Sequence, residues 1–261
     1  MQPVLFDFFG VKVHAFATMA SLGFLAAALL MQRDFAGKRV PRELAWWIVA
    51  TGMLGGITGA RLHLALWNWQ AFAQDPLAFL AAPSGLIWYG GLVGGVLATW
   101  APIRVFGVPW LRAADTAAPA IALGLAIGRI GCHLAGDGDW GVPTTLPWGV
   151  AYVDALAGWP HPPGVRVHPA MLYEMAALLA LVVWLWRVRR RVTPDGAVFF
   201  LYLGFSGAIR FLVEGIRVTP VLALGMTEAQ WIGIAVALAS MLWLHRNLHW
   251  CSSAERADQD E

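Results

Sequence analysis

The chain has 261 residues, 59% of them hydrophobic and 13% charged, with a formal net charge of +2 and a mean hydropathy of +0.61. Soluble domains carry about 25% charged residues, and half that fraction cannot cover a water-facing surface. Cytosolic, fibrous and disordered classes are excluded, and the composition reads as that of a polytopic membrane protein.

A bilayer core of about 30 Å takes roughly 17 to 25 mostly apolar residues per helix. Seven stretches qualify: Val13 to Met31, Leu44 to Leu66, Leu86 to Phe106, Ala113 to Ala135, Ala170 to Trp186, Ala197 to Val213 and Ala229 to Leu244. The fold class is therefore all-α, a single transmembrane domain of seven helices over residues 1–250. Residues 136–169, rich in Pro, Gly and Trp, are long enough to form a cap, and 251–261 read as a short acidic tail. Before the first span stands one lysine, and the basic residues follow it, the pattern of an uncleaved helix rather than a signal peptide. Cys132 and Cys251 lie far apart with no metal or redox spacing, so neither a disulfide nor a metal site is expected.

Basic residues in the connections set the orientation. The connections after spans one, three and five, with the tail, hold twelve: Arg33, Lys38, Arg39, Arg42, Arg104, Arg112, Arg187, Arg189, Arg190, Arg191, Arg246 and Arg256. The opposite side holds Lys12, Arg166 and Arg217. The N-terminus and the cap are accordingly expected outside, the C-terminus in the cytoplasm.

Three arginines remain inside spans: Arg61, Arg129 and Arg210. Each costs about 2.5 kcal/mol or more in a bilayer and usually faces a bundle interior or a watery cavity. Arg61 could also snorkel to the headgroups. With this topology all three fall in the outer half of the membrane. At the same depth stand His14, the Trp88 to Gly91 run and the segment from His168 to Glu174. Glu214 and Arg217 follow Arg210 at helical spacing. Several guanidiniums beside lipid suit a phosphate, which they grip bidentately and whose growing charge they stabilise as an ester departs.

The stretch GRIGCHLAGDGDWG from Gly128 to Gly141 resembles the signature of the prolipoprotein diacylglyceryl transferase family, bacterial seven-span membrane enzymes. Further blocks appear in order: VHAFATMASLGF at span one, GGITGARLHLALWN at the end of span two, WYGGLVGG at span three, HPAMLYE at span five and GAIRFLVEGIR at the end of span six. The resemblance covers about residues 6 to 245. It implies transfer of the diacylglyceryl group of phosphatidylglycerol to the lipobox cysteine thiol of a prolipoprotein, with release of glycerol 1-phosphate and without metal or other cofactor. It further implies a multi-pass protein of the bacterial inner membrane with its site toward the outer leaflet. The expected partners are phosphatidylglycerol, the prolipoprotein signal peptide and the bilayer; a monomer with no nucleic-acid partner is expected. By motif position, Arg129 and Arg210 hold the headgroup and support catalysis, with Arg61, His14, Gly90 and Arg217 also on the lipid. Glu214, Asp137 and Tyr89 join the catalytic set, and His168, Glu174, Cys132, His133 and Asp139 form the surrounding layer.

Several positions depart from the family pattern. A family histidine before the Gly-Gly of span three is Tyr89, whose phenol, with a pKa of about 10, receives a thiol proton poorly at neutral pH. A family asparagine is Cys132. The family's Gly-Glu-x-Trp is Gly136-Asp137-Gly138-Asp139-Trp140, one residue longer, and either aspartate can replace the glutamate. Phe16 and Ser206 stand where the family has tyrosines. Three readings stay open: an active transferase with Asp137, His133 or His14 moving the proton; a paralogous lipid transferase with another acceptor, working through Cys132; and a non-catalytic phospholipid-binding membrane protein.

Overall fold

Each of the seven apolar stretches lies mainly on one helix in the computed structural model, which describes residues 2–38, 40–81 and 88–250. The acidic tail and the predicted start of span three at Leu86 lie outside the described residues. In chain order the elements are β1 (Val4–Phe8), β2 (Val11–His14), α1 (Ala15–Gly37), α2 (Glu43–Trp67), α3 (Trp69–Gln74), α4 (Pro76–Ala81), α5 (Trp88–Val105), α6 (Trp110–Ala135), α7 (Ala170–Val188), β3 (Val192–Thr193), α8 (Ala197–Glu214), β4 (Val221–Ala223), β5 (Met226–Thr227), α9 (Glu228–Asn247) and β6 (His249–Trp250). Four of the helices, α1, α6, α7 and α8, are long and apolar enough to cross a membrane, as in a polytopic membrane protein. Large apolar side chains such as Leu29, Leu125, Val183 and Leu212 point outward from them, an arrangement that water would penalise and lipid would not.

Span one begins later than its apolar run, because Val13 and His14 pair with the N-terminal strand: Phe6 faces Val13 and Val4 faces His14. The chain divides into two compact units, the first made of residues up to Ala27 and from Ala114 onward, the second of Ala28 to Ala113.

In the first unit the core lies among α6, α7 and α8. Leu181, Leu185 and Val188 recur along one face of α7 and meet Ala118 and Ala122 of α6 and Val198, Leu201 and Tyr202 of α8. Asp115, buried on α6, accepts the backbone N–H groups of Gly196 at 2.7 Å and Phe199 at 2.8 Å. A carboxylate from one helix thus satisfies the exposed donors and the positive end of the dipole at the start of α8. Thr227 and Gln230 form a capping box at the start of α9.

One end of this unit collects the segments that matter for function. Gln2 N–H donates to Leu134 O at the end of α6, and Val142 N–H to Ile216 O just past α8. Gly141 N–H donates to His168 O ahead of α7. Segment 136–169 packs there through Trp140, Tyr152 and Val167 against Cys132 of α6 and Met171 of α7, with Trp140 and Tyr152 stacked at 5.3 Å.

The second unit is built on α2 against α5. Gly59 and Gly90 meet backbone to backbone, as do Gly55 and Gly94: a Cβ on Gly59 would lie 2.3 Å from Gly90 O, and one on Gly94 2.3 Å from Gly55 O. Two small-xxx-small patterns, Gly55/Gly59 and Gly90/Gly94, permit this approach. The short helices α3 and α4 follow α2 with Trp67, Trp69 and Leu77 exposed.

Candidate active site

Helix α6 ends at Ala135 because Gly136 turns into the left-handed region at φ +64°, a conformation that glycine adopts without strain. Gly138 repeats the reversal at φ +99°. Between them the Asp137 carboxylate accepts the Asp139 N–H at 3.2 Å, and the double turn brings Asp139 back to Arg129 on the last turns of α6.

There six side chains close a ring of alternating charge. Arg129 reaches Asp139 Oδ2 with NH1 at 2.7 Å and Glu174 Oε1 with NH2 at 3.1 Å. Glu174, from the first turns of α7, also meets Arg210 NH1 at 3.5 Å. Arg210 NH2 lies 2.9 Å from Glu214 Oε2, one turn further along α8. Glu214 in turn faces Arg217 NH1 at 3.5 Å, and Arg217 NH2 closes the circle on Asp139 Oδ1. Each guanidinium spends separate nitrogens on two carboxylates, a division that its planar fork permits and an ammonium does not.

The ring is graded in exposure. The Glu214 side chain is fully buried and that of Glu174 10% exposed, whereas Asp139 is 30%, Arg210 29% and Arg129 20% exposed. Glu214 is held by charge rather than by aligned hydrogen bonds, since neither of its oxygens has a hydrogen-bond partner of good geometry among the described residues. Removing a partner of the fully buried Glu214 leaves an uncompensated buried charge, at a cost of about 3–5 kcal/mol.

A family model described as prolipoprotein diacylglyceryl transferase matches residues 3–246. The chain belongs to that family. It is 30% identical to the phosphatidylglycerol–prolipoprotein diacylglyceryl transferase of Clostridium tetani over 84% of this chain and 87% of that protein. The proteins of the same name from Methylococcus capsulatus and Nitrosomonas europaea are 33% and 31% identical, over 89% and 94% of this chain and 87% and 90% of their own lengths.

Against the family pattern, Asp139 takes the place in the ring while Asp137 supports its turn. The sequence left the choice between the two open and put Asp137 first; of the two, Asp139 is the one paired with Arg129 and Arg217. Glu174, expected in the surrounding layer, is a direct partner of two arginines. Desolvation raises the Asp137 carboxyl above its ordinary value, against hydrogen bonds from Cys132 and the Asp139 N–H that lower it.

Cys132 is buried in the aromatic cluster, and Arg129 NH1 approaches its sulfur at 3.8 Å. Cys132, Asp137 and Asp139 present donor atoms within 4.8 Å of one another. Both Asp139 oxygens are committed to guanidiniums, which a cation would have to displace. His133 Nδ1 is tied to the Tyr152 hydroxyl at 2.9 Å. His168 Nδ1 meets the Tyr173 hydroxyl at 3.1 Å, which also accepts the Trp148 indole N–H at 2.8 Å. Sequence reasoning missed Tyr152, Tyr173 and Trp148; two of the chain's four tyrosines, one within the cap and one just after it, were the available signal.

The structure does not bring every expected residue into the ring. His14 closes β2 and is exposed. Arg61, Tyr89 and Gly90 belong to the second unit. There Gly90 faces the α2 backbone, where a Cβ would lie 2.4 Å from Gly59 O, so its missing side chain is accounted for by helix packing.

Proposed function

We propose that the protein is a seven-span inner-membrane enzyme that transfers the diacylglyceryl group of phosphatidylglycerol to the lipobox cysteine of a prolipoprotein. The observation that carries this reading is the arginine ring at the end of the first unit, to which segment 136–169 contributes Asp139. It is a set of guanidiniums held ready by carboxylates, beside the lipid that helices α6 and α8 face. In this reading α2, α5 and α9 also cross the membrane. The N-terminus and segment 136–169 lie outside, so the ring meets the outer leaflet, and the protein works as a monomer.

The thiol sulfur bonds to the glycerol carbon as that carbon's bond to the phosphate oxygen breaks. Phosphate takes the electron pair and leaves as glycerol 1-phosphate, so its charge rises from one negative toward two. Arg129, Arg210 and Arg217 stabilise that increase because they are already oriented and need not reorganise. The thiol, with an ordinary pKa of about 8.5, must lose its proton. Asp137 is the acceptor this reading assigns, since a carboxylate raised above its usual range is the better base.

The test incubates purified protein with phosphatidylglycerol and a lipobox peptide. The expected result is glycerol 1-phosphate together with a peptide heavier by one diacylglyceryl group. Lipid consumed without peptide modification would overturn the acceptor assignment, and lipid bound but unchanged would overturn the enzyme.

A further inference from the structure

We propose that Asp139 is an internal substitute for the substrate phosphodiester, bridging Arg129 and Arg217 with one oxygen each and giving way when the headgroup phosphate binds. This rests on the transferase reading of the site, whose phosphate it describes.

Two features single out Asp139. It alone of the three carboxylates stands on a loop rather than a helix, in the double glycine turn after α6. It is also the most exposed of them. Its two oxygens, like those of Glu174, contact two different guanidiniums, the arrangement in which two unesterified phosphate oxygens would be gripped. The family pattern has one acidic residue in this stretch where the present chain has two. Asp137 can therefore shape the turn while Asp139 serves as the mobile anion.

Charge balance defines what can take its place. With Asp139 withdrawn, the two glutamates leave the three arginines with one uncompensated positive charge, which a phosphodiester with its single negative charge neutralises. The product is a phosphate monoester carrying about 1.5 to 2 negative charges at neutral pH. It overfills the ring once Asp139 re-engages. The same carboxylate that weakens substrate binding thus favours product release.

The experiment uses full-length protein in lipid nanodiscs free of anionic lipid and compares wild type with Asp139→Asn and Asp139→Glu. Thermal stability is followed against inorganic phosphate, and KM and kcat for phosphatidylglycerol are measured in parallel. Asp139→Asn should be stabilised by phosphate at roughly tenfold lower concentration than wild type and should show a KM lower by about tenfold, corresponding to about 1.4 kcal/mol. Its kcat should fall as product release slows. Asp139→Glu, which keeps the charge, should show neither the tightened phosphate response nor the lowered KM of Asp139→Asn. Equal tightening in both variants would overturn the exchange, as would a raised KM in Asp139→Asn. So would failure of Asp139→Asn to fold in phosphate buffer, since the added anion should replace the carboxylate. Phosphate stabilisation with the expected pattern but no lipid turnover in any form would uphold the exchange and reject the transferase reading.

Discussion

Tyr152 lies fully buried where the cap meets the end of α6, stacked on Trp140 and bonded to His133 Nδ1. Burial, and then the nearby charge of Asp137, pushes its phenol well above the ordinary value of about 10. The unfolded chain therefore loses this proton first as pH rises. Between the two values the native state binds more protons than the unfolded one, so stability falls with increasing pH. The hydrogen bond to His133 contributes on the order of 1 kcal/mol at neutral pH. Detergent-purified Tyr152→Phe should melt below wild type at pH 8, and the gap should narrow as pH rises above about 10. A gap that widened above pH 10 would mean that the folded state ionises this phenol more readily than the unfolded chain. Residues of this kind were hard to read from sequence, because a tyrosine in a loop carries no mark of its partner. The arginines were legible because a guanidinium in an apolar run is costly enough to need a reason. Glu214 was legible beside Arg210 at helical spacing, but the pairings of Asp139 and Glu174 were not, since those pairs lie 10, 36 and 78 residues apart.

The helices owe their positions to glycine as much as to apolar area. Within the second unit the α2 and α5 backbones touch at Gly59 and Gly90, with no flexible side chain between them to yield. A methyl group on Gly59 must push the helices apart, and overpacking of this sort costs about 1–3 kcal/mol. Gly128 on α6 is the opposite case, because nothing stands within 4 Å of a Cβ placed there. Alanine at that position improves helix propensity by up to about 1 kcal/mol. Gly59→Ala should therefore melt several degrees below wild type in detergent, while Gly128→Ala melts at or above it. Equal losses in the two variants would show that the close approach of α2 and α5 is not what holds the unit. The long helices were legible from their apolar runs, but the short strands were not. In the β1–β2 hairpin the turn residues are Phe9 and Gly10, at φ 51° and 83°, where an Asn-Gly pair would have announced the turn. Helices α3 and α4, six residues each, are too short for a period to register.

At the scale of the whole chain, family membership was legible because six ordered blocks of sequence survive, while the departures within them set the questions the structure addresses. Orientation is the property on which the proposed function most depends, and the uneven distribution of basic residues predicts it. Connections meant for the cytoplasm hold most of the arginines, because chains resist moving positive charge outward. In the proposed orientation segment 136–169, which supplies Asp139 to the arginine ring, is outside, on the side where an exported lipoprotein presents its cysteine. Two positions test this directly. Val153, in the cap, is 67% exposed, and Val105, at the end of α5, is 83% exposed. In a chain carrying Cys132→Ala and Cys251→Ser, a membrane-impermeant maleimide should label Val153→Cys in spheroplasts. The same reagent should label Val105→Cys only after permeabilisation. The reverse pattern would put the ring on the cytoplasmic face, separate it from the outer-leaflet lipid and remove the basis of the proposed reaction.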